Sequence, residues 1–355
     1  MKRLIFIVTL SFLLFFSGCS EVFYGNYHSV TPHTEDSIKP AQQTVSVSSY
    51  TQLHTALTNL VETGTSKGVF YITAMRESIN VMMANAVRDI TSYNPIGAYA
   101  VESISYEVGT YAGTPSVAVE IQYRHSRSEI LRIKKANSIE TTYFLVSAAM
   151  NQCEADLVFM VNEYTRTDFK QMVQDYFDHN PSTCMEMPQV AVSVYPDTGD
   201  RRIVEMKFTY QTSRETLRDM QDNVAQIFSS AKLYVNEDSS SWEKYSQLYS
   251  FLMERFDYKF ETSITPTYSL LRHGVGDSKA FASVYAAMCQ QVGLDCSMVV
   301  GTREGEPWFW NALLVDGVYY YVDLVSTYES GRFSAKSAGE MSGYVWDYSA
   351  FEVSS

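Results

Sequence analysis

The chain has 355 residues, of which 46% are hydrophobic and 19% are charged, and its formal net charge at pH 7 is −13. This composition is that of an ordinary globular protein, and the length predicts about two domains with sizeable cores. The acidic balance argues against a nucleic-acid-binding protein, which would need a basic face to neutralise phosphates.

The first residues have the parts of an export signal. Met1-Lys2-Arg3 is basic, and Leu4 to Phe16 is an apolar stretch that is shorter than a membrane span needs. Small residues then precede Cys19, which resembles a bacterial lipobox. The resemblance implies removal of residues 1–18, acylation of Cys19 and an extracytoplasmic protein held to the cell membrane by lipid; an ordinary signal peptide or an uncleaved anchor is the alternative. Residues 19–44 are rich in Ser, Thr, Pro and His without periodicity, so we expect a tether there.

Four further cysteines follow Cys19 in the sequence: Cys153, Cys184, Cys289 and Cys296. Outside the cytoplasm Cys153 and Cys184, which lie in the same predicted unit, could form a disulfide. Four buried reduced thiols are an equally good interpretation. The chain has no CxxC spacing and no Cys/His cluster, so we predict neither a metal nor another cofactor.

Residues 45–235 contain a pattern that is used twice, with a period of about 85–90 residues. The clearest echo is Val119-Glu120-Ile121-Gln122-Tyr123, which recurs as Val204-Glu205-Met206-Lys207-Phe208. We therefore predict a duplicated αβαββα unit, first over 45–137 and again over 138–235. Neither unit shows a cluster of catalytic residues. One hypothesis is nevertheless that the repeats carry the function and the last domain is a structural cap.

The elements of both units follow from hydrophobic periodicity. The predicted helices are 50–62, 78–90, 127–136, 139–151, 168–177 and 214–228. The predicted strands are 69–74, 101–108, 116–123, 156–162, 189–195 and 202–210.

A polar, acidic break from Asn236 to Ser241 marks the boundary of a last domain over 236–355. Ser240 and Glu243 have the spacing of a capping box, which predicts the start of a helix. One face of that helix is apolar and carries Trp242, Tyr245, Leu248, Tyr249, Leu252 and Phe256.

The most informative stretch is 272–324. Asp277 or Ser278 can cap a helix that is apolar on most sides and is therefore predicted to be buried. A short strand follows, and Asp316-Gly317 between two apolar runs is a strong signal for a β-hairpin.

This arrangement resembles the transglutaminase-like superfamily, whose members are relatives of the papain-like thiol enzymes. They carry Gly-x-Cys-x-x-x-Ala at a helix start, His-Ala-Trp-Asn on one strand and an Asp on the next. The run Gly276 to Ala282 matches the first motif, with Ser278 at the Cys position. Trp308-Phe309-Trp310-Asn311 matches the second, with Trp308 at the His position, and Asp323 matches the third. The resemblance covers the last third of the chain and implies an α+β domain of the papain-like fold.

The two departures fall on the reactive positions. A serine needs a base to take its proton, whereas a tryptophan is a donor only. We therefore interpret the last domain as a pseudoenzyme that binds or scaffolds a cell-wall, protein or peptide ligand, with Trp308 partly exposed and Trp310 and Tyr320 in the core. The alternative is an active hydrolase or acyl-transferase that uses Ser278 as nucleophile, with His273 as a conceivable base.

Overall fold

The structure is a computed structural model that describes residues 43–74, 78–111, 113–261, 263–328 and 331–351. The predicted export signal, Cys19 and the tether up to residue 42 lie outside these residues. Across the described ranges, no helix has the length and apolar character that a membrane span requires.

The chain divides into two compact units. One comprises the described residues up to Ala86 together with Glu102–Arg124, and the other comprises Val87–Val101 and the chain from His125 onwards. The domain boundaries expected at 137/138 and 235/236 stay predictions.

The first unit is built on a four-stranded sheet. Its elements are Gln43–Val47 (β1), Tyr50–Glu62 (α1), Lys67–Ile72 (β2), Ile79–Tyr93 (α2, which continues beyond this unit), Val101–Tyr111 (β3) and Thr114–Tyr123 (β4). The strand order is β1-β2-β4-β3, with β1 parallel to β2 and β2 antiparallel to β4. Helix α1 begins where the Ser49 side chain accepts a bond from the backbone N–H of Gln52, and it buries Leu53, Leu57 and Leu60 on one face.

The second unit contains a sheet with the same strand order. Its elements begin with Pro95–Ala100 (α3), Arg127–Leu131 (α4), Lys134–Ala136 (β5), Ile139–Asn151 (α5), Asp156–Val161 (β6), Phe169–His179 (α6), Gln189–Tyr195 (β7), Arg202–Thr209 (β8) and Arg214–Ser229 (α7). The order is β5-β6-β8-β7, and again the first pair is parallel and the others are antiparallel. The shared order agrees with an internal duplication, which itself stays a prediction.

The predicted αβαββα pattern was wrong about the start of each unit, because both sheets have a fourth strand before the first helix. The helix predicted over 127–136 ends at Leu131, and Lys134–Ala136 pairs in parallel with Phe159–Val161. The edge of β6 has backbone groups that need hydrogen-bond partners, and this three-residue strand supplies them. The sequence of such a short segment does not show that requirement.

The C-terminal part of the second unit is a mixed layer of helices and strands. Its elements are Ser241–Met253 (α8), Asp257–Tyr258 (β9), Pro266–Tyr268 (α9), Val275–Gly276 (β10), Ser278–Gln291 (α10), Cys296–Arg303 (β11), Glu306–Val315 (β12), Val318–Val322 (β13) and Tyr344–Trp346 (β14). The large sheet has the order β13-β12-β11-β14, and β9 pairs in parallel with β10.

Helix α10 is the central element of this part and is buried on nearly all sides, as predicted. It packs against α8 and against one face of β12, where the amide of Asn311 donates to the backbone oxygen of Ala282 at 2.8 Å. The opposite face of the sheet carries Trp310, which is fully buried beneath Trp346 from the C-terminal segment. The sheet is therefore covered on both faces. Trp308 lies near the start of β12, and Asp323 directly follows β13.

Candidate functional site

Ser278 is the first residue of α10, and the short parallel pair β9 and β10 leads the chain to it. Asp277 caps the helix, because its carboxylate accepts from the backbone N–H of Ala280 at 2.9 Å. The backbone at Gly276 packs closely on this turn, since a Cβ there would lie 3.0 Å from the Cβ of Ala280 and 3.1 Å from Cδ1 of Leu270. Ser278 itself is 7% exposed, and among the described residues its side chain has no hydrogen-bond partner.

Asp323 follows β13 and is almost fully buried. Its Oδ2 accepts from Trp308 Nε1 at 2.9 Å, from the Tyr344 hydroxyl at 2.6 Å and from the Arg303 guanidinium at 3.3 Å. Its Oδ1 accepts from the backbone N–H of Ser326 at 3.1 Å. The carboxylate is thus saturated by four donors, one of them charged, which is how a buried carboxylate is accommodated.

Trp308 is half-buried, as predicted, and its ring is held between two neighbours. The guanidinium of Arg303 lies 5.3 Å from the centre of its ring, and the ring of Tyr258 lies 6.1 Å away. Together with the bond to Asp323, these contacts fix the indole in one orientation.

Tyr258 links the helix cap to the carboxylate. It lies on β9 beside Gly276. Burial, followed by the negative charges of Asp277 and Asp323, raises the pKa of Tyr258, and Arg303 opposes these effects. The phenol therefore stays protonated near neutral pH and cannot act as a base there.

Of the three sequence-predicted positions, the structure shows a direct contact between two. Trp308 and Asp323 are in direct contact, and the positions of Ser278 and Trp308 are joined through the residues that follow them. The ammonium of Lys279 lies 5.3 Å from the centre of the Phe309 ring.

His273 does not supply the missing base. It is exposed and packs edge-on against Tyr268, with ring centres 5.3 Å apart. Within the described ranges it forms no hydrogen bond to Ser278. The Ser278–His273 pair considered from the sequence is therefore not formed in this structure.

Burial disfavours the thiolate form of three of the described cysteines. Cys153, Cys184, Cys289 and Cys296 are buried and free, so the suggested Cys153–Cys184 disulfide is not formed. Burial raises the pKa of Cys184 to about 12 and also raises the pKa of Cys153 and Cys296. Thiols with such pKa values are protonated and unreactive near neutral pH.

Sequence reasoning missed Arg303, Tyr344 and Tyr258. Tyr344 lies 21 residues after Asp323, outside the three motifs. Tyr258 belongs to a two-residue strand that has no periodicity of its own. The position of Asp323 at the end of the predicted hairpin was the one available signal. A carboxylate buried there needs hydrogen-bond donors from its neighbours.

Residues 229–346 match the family model of the transglutaminase-like superfamily. These residues form a transglutaminase-like domain. The matched span runs from the end of α7 to Trp346 in β14, and it includes Ser278, Trp308 and Asp323. The α+β architecture of the transglutaminase-like domain agrees with this assignment. No curated protein matches the chain.

Three solved structures resemble the chain at low TM-scores. A TGase shares 11% identity with a TM-score of 0.26, and the match covers 63% of this chain and 66% of that one. A candidate protease from Parabacteroides distasonis shares 9% identity with a TM-score of 0.25, over 72% of this chain and 40% of that one. A candidate cysteine protease from Cytophaga hutchinsonii shares 10% identity with a TM-score of 0.26, over 47% of this chain and 70% of that one. Likenesses at these TM-scores carry no inference about the activity of the transglutaminase-like domain.

Proposed function

We propose that this protein is a membrane-anchored, extracytoplasmic lipoprotein whose transglutaminase-like domain binds or scaffolds a ligand and does not catalyse a reaction. The observation that carries the proposal is the 2.9 Å hydrogen bond from Trp308 Nε1 to Asp323. The motif match assigns the catalytic base to position 308, and this bond supports the proposal because the base of a triad would bond to the same carboxylate.

Trp308 cannot act as a base because its indole has only one nitrogen atom. In a triad the base donates one N–H to the orienting carboxylate and uses its second nitrogen to take the proton of the nucleophile. The indole of Trp308 has a single N–H, which Asp323 accepts, and it has no second nitrogen. Asp323 is itself saturated by donors, so no group among the described neighbours takes the proton of Ser278. No observation favours the hydrolase alternative.

The proposed ligand is a cell-wall segment or a protein or peptide segment outside the cytoplasm, and the lipid on Cys19 would hold the protein at the membrane. The net charge of −13 argues against nucleic acid as the partner. The half-buried aromatic side chains near Asp323 offer a surface for a sugar or a peptide.

Catalysis is tested with peptidase and amide-transfer assays on the full chain, on Ser278→Ala and on Ser283→Ala. Ser283 is a matched control because it lies on the same helix, is equally buried and bonds only to the backbone oxygen of Ala280. We expect no activity above background in any of the three proteins. Turnover that persists in Ser283→Ala and disappears in Ser278→Ala would refute the proposal.

Anchoring is tested by following incorporation of labelled fatty acid into the chain and into Cys19→Ser, with Cys153→Ser as the control. We expect Cys19→Ser alone to lose the label and to leave the membrane fraction in detergent-free extracts. Equal labelling of all three proteins would show that Cys19 is not acylated.

A further inference from the structure

A buried ion pair joins α6 to the start of α10. Nζ of Lys279 lies 2.6 Å from Oδ1 of Asp178, and the two side chains are 20% and 10% exposed. The amide of Gln174 donates to the same carboxylate oxygen at 2.8 Å. Removing two charges from water is unfavourable, so a pair of this kind requires good geometry and additional hydrogen bonds, both of which are present. Lys279 is the residue directly after Ser278.

The same ammonium lies between two aromatic rings. Its distance to the ring centre is 5.3 Å for Phe177 of α6 and 5.3 Å for Phe309 of β12. Cations within about 6 Å of an aromatic ring are attracted to its face, more strongly when water is excluded. Phe309 directly follows Trp308. The C-terminal end of α6 therefore contacts Lys279, which follows the nucleophile position, and the same ammonium also contacts Phe309, which follows the base position.

The segments that flank α6 pack into the same core as α10. Residues from the end of α5 to the segment after α7 share one hydrophobic cluster with α8 and α10, and they are Cys153, Met185, Leu217, Val224, Phe228 and Ala231. The buried carboxylate of Glu186 accepts from the backbone N–H of Thr212 at 3.1 Å and fixes the segment that leads into α7. The end of α6 is thus held against α10 by packing on several elements.

We infer that the C-terminal end of α6, with Phe177 and Asp178, is a built-in partner that covers the surface of the transglutaminase-like domain beside Ser278. The inference deepens the proposed function, on which it rests, by naming a segment of the same chain as a partner of this site. Ser278, the residue directly before Lys279, is 7% exposed, and a substrate would need access to this position in an enzyme. A ligand from outside the chain then binds this face only when α6 moves away from it.

The test uses Ser278→Cys in the full chain as a reporter of access. A maleimide labels the introduced thiol, and the chain without this substitution supplies the background from the other cysteines. We expect slow labelling of Ser278→Cys and labelling at least about tenfold faster when Asp178→Ala is added, because Lys279 then loses its buried partner.

The matched control is Glu154→Ala in the same reporter chain, which removes the Arg214–Glu154 pair of 2.8 Å in the same unit. We expect this control to leave the labelling rate unchanged. Circular dichroism establishes that each variant is folded, and the isosteric Asp178→Asn takes the place of Asp178→Ala if the latter does not fold.

Two results would overturn the inference. One is labelling of Ser278→Cys at the rate of an unprotected thiol while Asp178 is intact. The other is a rate that neither Asp178→Ala nor Asp178→Asn changes. Neither result bears on catalysis, which the assays with Ser278→Ala measure separately.

Discussion

Trp308 donates its indole N–H to Oδ2 of Asp323 at 2.9 Å, and that oxygen also accepts from Arg303 and Tyr344. The four side chains come from the ends of four strands or from the residue just beyond one, so a single carboxylate ties the end of the large sheet together. Asp323 therefore has a structural role that does not depend on any reaction.

A double-mutant cycle measures this relationship. We expect Trp308→Phe and Asp323→Asn each to lower the free energy of unfolding in urea, with a coupling between them of about 1.5–3 kcal/mol, as is typical of hydrogen bonds to charged groups. The control cycle combines Asp323→Asn with Trp242→Phe, since Trp242 packs against Tyr320 and Phe333 instead. The control should be additive within about 0.5 kcal/mol, and equal couplings in the two cycles would contradict the assignment.

The start of α10 allows a paired comparison of neighbouring residues. Asp277→Ala removes the cap on the Ala280 N–H and should lower the free energy of unfolding by about 1 kcal/mol. Ser278→Ala removes a hydroxyl with no described partner and should change it by less than about 0.5 kcal/mol, because no hydrogen bond is lost. A larger loss for Ser278→Ala than for Asp277→Ala in urea denaturation would indicate that the hydroxyl is bonded after all.

Gly301 lies on β11 opposite Trp346 of the neighbouring antiparallel strand β14. A Cβ there would overlap the backbone oxygen of Val345 and would lie 2.6 Å from Cη2 of Trp310. We expect Gly301→Ala to lower stability by about 1–3 kcal/mol through overpacking, with a matching fall in the thermal midpoint. Gly339→Ala is the control, because its Cβ would meet nothing within 4 Å. Similar midpoints for the two variants would show that β14 is not packed on Gly301.

The capping box of α8 predicts a dependence on pH. Backbone and side-chain hydrogen bonds from Ser240 lower the pKa of Glu243 below its usual 4.5. A group whose pKa is lowered by folding stabilises the protein above its unfolded pKa, and this contribution disappears as the pH falls through the lowered value. We therefore expect Glu243→Gln to be less stable than the parent at neutral pH, with the difference shrinking below pH 4.5.

Urea denaturation across this pH range measures the effect. Ser240→Ala should also weaken the dependence of the free energy of unfolding on pH, since it removes one of the two donors to the Glu243 carboxylate. Adding Ser240→Ala to Glu243→Gln should change this pH dependence little further. If the difference in free energy of unfolding between Glu243→Gln and the parent grew as the pH fell, the prediction would be contradicted.

Local patterns in the sequence determined much of the secondary structure. The helix predicted over 139–151 is present as Ile139–Asn151, and the box of Ser240 and Glu243 starts α8 as expected. Periodicity and capping involve residues within one or two turns of each other, so a single segment contains the information. The same holds for the burial of α10 and for the motifs that led to Ser278, Trp308 and Asp323.

Only the tertiary structure decided which groups surround those residues. The helix expected over 127–136 ended early because Lys134–Ala136 found an edge strand to pair with, and the bond from Tyr344 to Asp323 joins residues 21 positions apart. The contact between Asp178 and Lys279 joins two helices on either side of the expected domain boundary. Such contacts depend on how whole elements pack, and local sequence does not contain that geometry. The sequence alone therefore predicted which residues occupy the family's reactive positions, and the packing decided that Asp323 bonds to Trp308 and that the end of α6 contacts Lys279.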